Sequence, residues 1–218
     1  MTSDQAAKKK RERTAARQAF GLTILTAADR RVRQLRGQHA PSLHGHRLWS
    51  SSWAIMDYLA EQGLPRGARV LDVGCGWGLA GIFCARRFAA RVTAVDADPE
   101  VFPFLHLHAA LNQVEVCTRQ ASFSDLDGEA LRGHEVMLGA DICFWDELTQ
   151  PLLELVERAL QAGIQQIVLA DPGRPPFHAL SDRCVARLGA ETKSWELDEP
   201  VRVRAELLIV GTLPVAGG

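Results

Sequence analysis

An α/β fold built on a doubly wound, mixed sheet is what this 218-residue chain predicts, and three observations lead there. Beyond Gly67, short apolar runs alternate with stretches of helical spacing, the layout of βαβ units around a parallel sheet. Residues 70 to 81, Val70-Leu71-Asp72-Val73-Gly74-Cys75-Gly76-Trp77-Gly78-Leu79-Ala80-Gly81, carry an apolar strand with one acid into a glycine-rich turn and then a helix. The chain also closes on two strand-like runs in succession, a hairpin pattern that makes the sheet mixed.

In order, strands are expected at 69–73, 91–95, 115–118, 135–139 and 166–170, then at 192–195 and 203–211 around a connection containing Pro200. Helices are expected over 48–59, 79–87, 100–111, 147–162 and 177–188, the last ended by Gly189 as a helix cap. Trp49, Trp53 and Met56 fall along one side of the first helix. Taken singly, each tryptophan reads as packing on the sheet. Together, one turn apart and just ahead of the glycine turn, Trp49 and Trp53 are candidates to wall a binding site.

A hydrophobic content of 47% suffices for one core, and the length suits one domain with an extension. The expected division is a basic N-terminal extension over 1–44, partly helical or disordered, and a domain over 45–213. No apolar run reaches the roughly 18 residues that span a bilayer, and no leader is recognisable, so a cytoplasmic protein without membrane contact is expected. Five dispersed cysteines without a C-x-x-C pair suggest neither a disulfide framework nor a zinc site, and no metal is expected. His39, His44 and His46 have no acid or cysteine near them in sequence, and His106 and His108 fall on different helix faces.

The net charge of −1 conceals an asymmetry: residues 1–36 balance to +7 and the remainder to −8. Lys8-Lys9-Lys10-Arg11, Arg13 and Arg17 read first as a solvated arm. An acidic partner is the alternative use of such a tail. Nucleic acid is not expected, because no aromatic residue interleaves these cations to stack bases. A mitochondrial leader fits less well, since the apolar side would consist almost entirely of alanines.

Glycines in a strand-to-helix turn allow a sharp bend and let a ligand reach the backbone. Gly76-x-Gly78-x-x-Gly81 followed by Asp96 twenty residues on even satisfies a dinucleotide fingerprint, so NAD is a rival ligand. Asp72 argues against it, because its carboxylate would lie near an unneutralised pyrophosphate. S-adenosylmethionine is cationic and lacks phosphate. Asp72 for its amino-acid end and Asp96 for its ribose hydroxyls make a consistent pair around Gly74, Gly76 and Gly78. A tight turn without a ligand remains the bland alternative.

Ligands of open α/β sheets sit beyond the carboxyl ends of the strands, which draws attention to the residues following each strand. After the fourth come Asp141-Ile142-Cys143-Phe144-Trp145-Asp146 and after the fifth Asp171-Pro172-Gly173-Arg174-Pro175-Pro176-Phe177. Apolar rings beside an acid are an odd surface loop and a plausible seat for an amine. Asp141 could orient the acceptor while aromatic faces stabilise a cationic product. Trp145 and Arg174 join Trp49 and Trp53 as candidate substrate contacts. The competing role for Asp141 is a helix N-cap, for which Asp146 is better spaced. Asp125 and Asp127 are either adenine contacts or parts of a turn.

Val70 to Gly78 resembles the first motif of class I S-adenosylmethionine-dependent methyltransferases, and Val92 to Asp96 resembles their second-strand acid. Gly45-His46-Arg47-Leu48-Trp49-Ser50-Ser51-Ser52, Asp141-Ile142-Cys143-Phe144 and Asp171 to Phe177 look like the seven-strand protein-lysine methyltransferases, particularly the electron-transfer-flavoprotein β-subunit lysine methyltransferase branch. Nicotinamide N-methyltransferase-like proteins share much of the pattern. The resemblance covers about 45–211. It implies a Rossmann-like sheet of seven strands with the last antiparallel, S-adenosylmethionine as methyl donor, and a D-x-x-Y/F substrate motif matched by Asp141 and Phe144, the candidate catalytic pair. Phe144 lacks the hydroxyl of the commoner tyrosine. Asp141 is also counted with Asp72, Gly74, Gly76, Gly78 and Asp96 toward the cofactor. The expected activity is therefore N-methylation of a protein lysine, with a small-molecule amine or heterocycle as the alternative acceptor. A non-catalytic cofactor-binding scaffold stands third. Nucleic-acid base methylation would call for an Asn/Asp-Pro-Pro-aromatic loop after the fourth strand, which is absent.

Overall fold

The structure, a computed structural model, describes residues 15–42, 44–45 and 47–213. The basic cluster from Lys8 to Arg13 lies outside them. The elements run β1 (Ala16–Ala19), β2 (Leu22–Leu25), α1 (Arg30–Gln38), α2 (Ser51–Gln62), β3 (Arg69–Val73), α3 (Leu79–Phe88), β4 (Arg91–Asp96), a 3-10 turn (Pro99–Val101), α4 (Phe102–Leu111), β5 (Cys117–Gln120), α5 (Gly128–Leu131), β6 (Val136–Ala140), α6 (Asp146–Gln161), β7 (Gln166–Asp171), α7 (Pro175–Leu188), β8 (Glu191–Leu197) and β9 (Val203–Gly211).

Seven strands form one sheet in the order β5-β4-β3-β6-β7-β9-β8. Pairings from β5 through β7 are parallel, and β9 inserts antiparallel between β7 and β8. The expected Rossmann-like sheet with an antiparallel last strand is what forms. Central strands β3, β6 and β7 carry Val, Ile and Leu on both faces because helices cover both faces, so they read as unbroken apolar runs. Apolar side chains of α2 and α3, among them Ile55, Leu59, Ile82 and Phe83, fill one layer. Leu152, Val156, Phe177 and Leu180 of α6 and α7 fill the other. Each such burial contributes about 2 kcal/mol.

The ends of the helices follow their sequences. Two prolines open α7, where the missing N–H is no loss, and Gly189 closes it at φ 66°. Asp146 and Glu147 occupy the first turn of α6, toward its positive pole, and Arg158 the last. The cap of α6 is Trp145, without a side-chain hydrogen bond, so Asp146 stands one position too late for the capping role expected of it.

Ahead of the sheet, β1 and β2 form an antiparallel hairpin that the sequence reading did not foresee. Ala19, Leu22 and Ile24 enter the core of the main domain. His108 of α4 accepts the Leu25 N–H at Nε2 (3.1 Å) and donates from Nδ1 to the Phe104 carbonyl (2.8 Å). Asn112 accepts the Thr23 N–H (2.7 Å) and donates back to the Thr23 carbonyl (3.0 Å). His39 is partnered after all, with Glu100 at 3.2 Å, a residue too distant in sequence to have been recognised.

Candidate functional site

The strand order reverses between β3 and β6, so the crevice of this sheet opens above the end of β3. There the chain turns through Gly74, Gly76 and Gly78, all at positive φ (60°, 52° and 75°), a conformation that side chains resist. A side chain on Gly78 would also meet Leu105 at 2.6 Å. Two acids brace the turn from below. Asp72, 3% exposed, accepts the Gly81 N–H at 3.0 Å. A methyl group on Gly81 would meet that carboxylate at 2.9 Å, so this third glycine is what lets the helix start approach Asp72. Asp96, at the end of β4, accepts the Gly76 N–H through Oδ2 and the Asp98 N–H through Oδ1, each at 3.0 Å. Burial pushes the Asp72 carboxyl up to about 7 against the pull of the Gly81 N–H, with Asp96 adding repulsion. Asp96 is likewise raised, chiefly by burial. A cation delivered here would relieve both acids. A pyrophosphate would add to the repulsion and find the Gly76 N–H already given to Asp96, which weighs against the dinucleotide reading. Over the turn lie Gly45, Arg47 and Trp49: the Trp77 indole N–H donates to the Gly45 carbonyl (2.9 Å), and the cleft between Arg47, Trp49 and the glycines measures about 30 Å³.

A second group of residues lies beyond β6 and β7. Asp141, in the left-handed region at φ 57°, is 1% exposed. Its Oδ2 accepts the Ser51 N–H at the start of α2 (2.9 Å), and its Oδ1 takes the Arg174 guanidinium (3.0 Å). The other arm of Arg174 reaches Asp171 Oδ2 at 2.7 Å, while Asp171 Oδ1 accepts the backbone N–H groups of Gly173 and Arg174. One cation is thus shared by two buried carboxylates, leaving a formal charge of −1. Around them His44 stacks on Phe144 (4.1 Å between centroids, 12° between planes), with Trp49 5.5 Å from Phe144 and Trp145 5.2 Å from His44. Arg47 lies 3.9 Å over Trp49 and Arg174 4.9 Å over Phe144, so these faces already receive cations.

Comparison with known proteins bears on the fold that carries this site. A family profile described as a methyltransferase domain matches residues 70–163. The electron transfer flavoprotein beta subunit lysine methyltransferase of Xenopus laevis is 29% identical over 130 residues, 59% of this chain and 52% of that protein. The ubiquinone biosynthesis O-methyltransferase of Xanthomonas campestris is 45% identical over 74 residues, 34% of this chain and 30% of that one. The chain therefore spans about half of the first curated relative and less than a third of the second. Among solved structures, a precorrin-6y C5,15-methyltransferase from Geobacter metallireducens superposes with a TM-score of 0.59 at 11% identity, covering 80% of this chain and 94% of that one. A methyltransferase from Pyrococcus furiosus gives 0.57 at 19%, covering 73% and 83%. This is the class I S-adenosylmethionine-dependent methyltransferase fold.

Within that methyltransferase fold, Asp72, Asp96 and the three glycines come together in one cradle. Trp49, Phe144, Trp145 and Arg174 come together at the neighbouring rim. Trp53 does not join them. Helix α2 begins at Ser51 rather than at 48, so Trp49 belongs to the preceding loop, and Trp53 turns into the core beside Phe20 at 6.2 Å. Asp125 closes a turn on Ser122, and Asp127 caps α5 through the Ala130 N–H. His44, Arg47 and Ser51 were given no role by sequence reasoning. Their one signal was their place in or beside the 45–52 segment, since Phe144 for His44 and Asp141 for Ser51 stand about ninety or more residues away.

Proposed function

We propose that the protein is an S-adenosylmethionine-dependent methyltransferase whose acceptor is a nitrogen, a protein lysine side chain first among them. The observation that carries this reading is the pair of raised acids, buried Asp72 and half-buried Asp96, on either side of a three-glycine turn, next to an aromatic rim that already holds cations. The donor, when bound, supplies a methyl group on a cationic sulfur that an acceptor lone pair displaces in line. Asp72 would hold its ammonium end and Asp96 its ribose hydroxyls, leaving the methyl toward the rim. Positioning then provides most of the acceleration.

Both oxygens of Asp141 are engaged, so its part is to fix the rim and keep the local charge negative rather than to seize the acceptor's proton. The faces of Trp49 and Phe144 would flank the acceptor and favour the cation formed by methylation. Support for lysine comes from the relative in Xenopus laevis, whose name states that acceptor. A small-molecule acceptor is the second reading, supported by the His44 ring stacked on Phe144, the kind of contact a flat heterocycle would make there.

Methyl transfer from radiolabelled donor into a cell extract, separated into protein, nucleic-acid and small-molecule fractions, tests the proposal. A labelled protein band that disappears with an Asp72→Asn control is the expected result. Label only among small molecules would move the assignment to the second reading. Absence of label in every fraction would overturn the activity.

A further inference from the structure

Among the described residues the β5 margin of the sheet is uncovered by any strand, from the amino end of the strands at Cys117 to Gln120 opposite Asp96. β5 ends the strand order with β4 as its sheet partner, so among the described residues one row of its backbone groups faces no strand. Cys117, Arg119 and Gln120 are exposed. The register sets Arg69 opposite Arg91 and Thr93 opposite Cys117, so alternation puts Arg69, Arg91, Thr93, Cys117 and Arg119 on one face. His134, in the loop before β6, reaches that face with Nε2 3.2 Å from the Thr93 hydroxyl. A groove of about 720 Å³ runs there beneath the starts of β3, β4 and β5, with Arg132 on its wall.

Charge and shape together narrow the occupant. Arg69 is paired with Glu135 and Glu115 also lines the groove, yet among the described residues Arg91, Arg132 and, beside the groove, Arg119 make no ion pair within 4 Å, Arg119 acting on Asp125 only at longer range. The lining contains no aromatic ring apart from the His134 imidazole, which is tied to Thr93, so little is offered for bases to stack upon. A free strand edge, by contrast, presents donors and acceptors at the repeat of an extended peptide. Shielding of the edge against aggregation would need Arg119 alone, whereas Arg91 and Arg132 converge from a neighbouring strand and a separate loop.

We propose that this face docks an acidic, extended protein segment that adds to the free edge of β5, with its carboxylates on Arg91, Arg119 and Arg132. The groove lies at the amino ends of the strands while the far end of the β5 edge reaches the level of Asp96, and the proposal does not depend on the function proposed for the methyl-transfer rim.

The test uses the full chain and a fluorescein-labelled peptide of about ten residues alternating Glu and Val, read by anisotropy at low salt. The expected result is saturable binding that weakens roughly tenfold in Arg91→Gln/Arg119→Gln/Arg132→Gln, a variant checked for unchanged thermal unfolding. Cys117 supplies a second readout as the exposed cysteine beside the edge. Its alkylation by iodoacetamide, and amide exchange over 117–120, should both slow when the peptide binds. No binding, binding undiminished in the variant, or an unprotected β5 would overturn the proposal. Tighter binding of a single-stranded oligonucleotide through the same three arginines would overturn it in favour of nucleic acid.

Discussion

Asp72 shows how a single residue couples stability to ligand. Its folded-state carboxyl titrates near 7, against 3.8 for an unperturbed aspartate side chain, because burial disfavours the charged form. Between those values the native state holds a proton that the unfolded chain has released, so this group's contribution to stability falls as pH rises from about 4 to 7 and is then constant. A cation bound beside it reverses the preference and expels the proton. Cofactor affinity should therefore rise with pH up to about 7 and level off above, with proton release measurable by calorimetry in buffers of differing ionisation enthalpy. Asp72→Asn should flatten the pH dependence to the part carried by Asp96, weaken the cofactor, and leave the protein more stable at pH 8 than its parent. The acid was legible in the sequence because it stands two residues before a glycine turn; its raised titration was not, since that depends on how tightly α3 closes over it.

Among elements, the ties between loops matter more than the helices themselves. Arg174 joins the β7–α7 loop to the β6–α6 loop and, through Asp141, to the first turn of α2. Replacing it with methionine would strand two buried carboxylates and should cost about 3–5 kcal/mol in urea unfolding. The triple change Arg174→Met/Asp141→Asn/Asp171→Asn should recover part of that loss, since it removes the unpaired charges. The sequence reading named all three residues but could not join Arg174 to Asp141, because an ion pair across 33 positions has no local signature, although Asp171 stands only three residues before Arg174. The hairpin is held in a different way. Burial lowers the His108 titration, with Phe104 and Leu25 opposing, so the ring is neutral in the fold and charged once unfolded below about pH 6.5. Its contribution is complete above that pH and is lost as pH falls toward the folded value. Amide exchange at Leu25 should accelerate from pH 7 to pH 5 after correction for intrinsic rates, and His108→Gln should remove that pH dependence.

Across the whole molecule, the sheet was the most legible part. β3 and β9 begin and end where the apolar pattern does, and β6 and β7 shift by a residue or less, because strands covered on both faces show their burial directly. The edge strand β5 begins two residues later than its apolar content suggests, since exposed edge positions bear little pattern. Four-residue strands β1 and β2 are too short to register a period, and their anchors lie more than eighty positions away on α4. Trp53 misled for a related reason: helical spacing gives which residues share a side but not where the helix starts.

The segment holding Gly45, Arg47 and Trp49 over the glycine turn bears on rates as well as on affinity. A cleft of about 30 Å³ is far below the several hundred that a nucleoside-sized molecule fills. Entry must then wait for that segment to swing away, breaking the Trp77 hydrogen bond to Gly45 and parting Arg47 from the glycines. Binding followed by stopped-flow tryptophan fluorescence should show an observed rate that saturates with cofactor concentration instead of climbing linearly. Trp77→Phe keeps the ring stacked on Phe104 but removes the indole N–H, and it should raise the plateau, making the opening of one short strap the clock for each encounter.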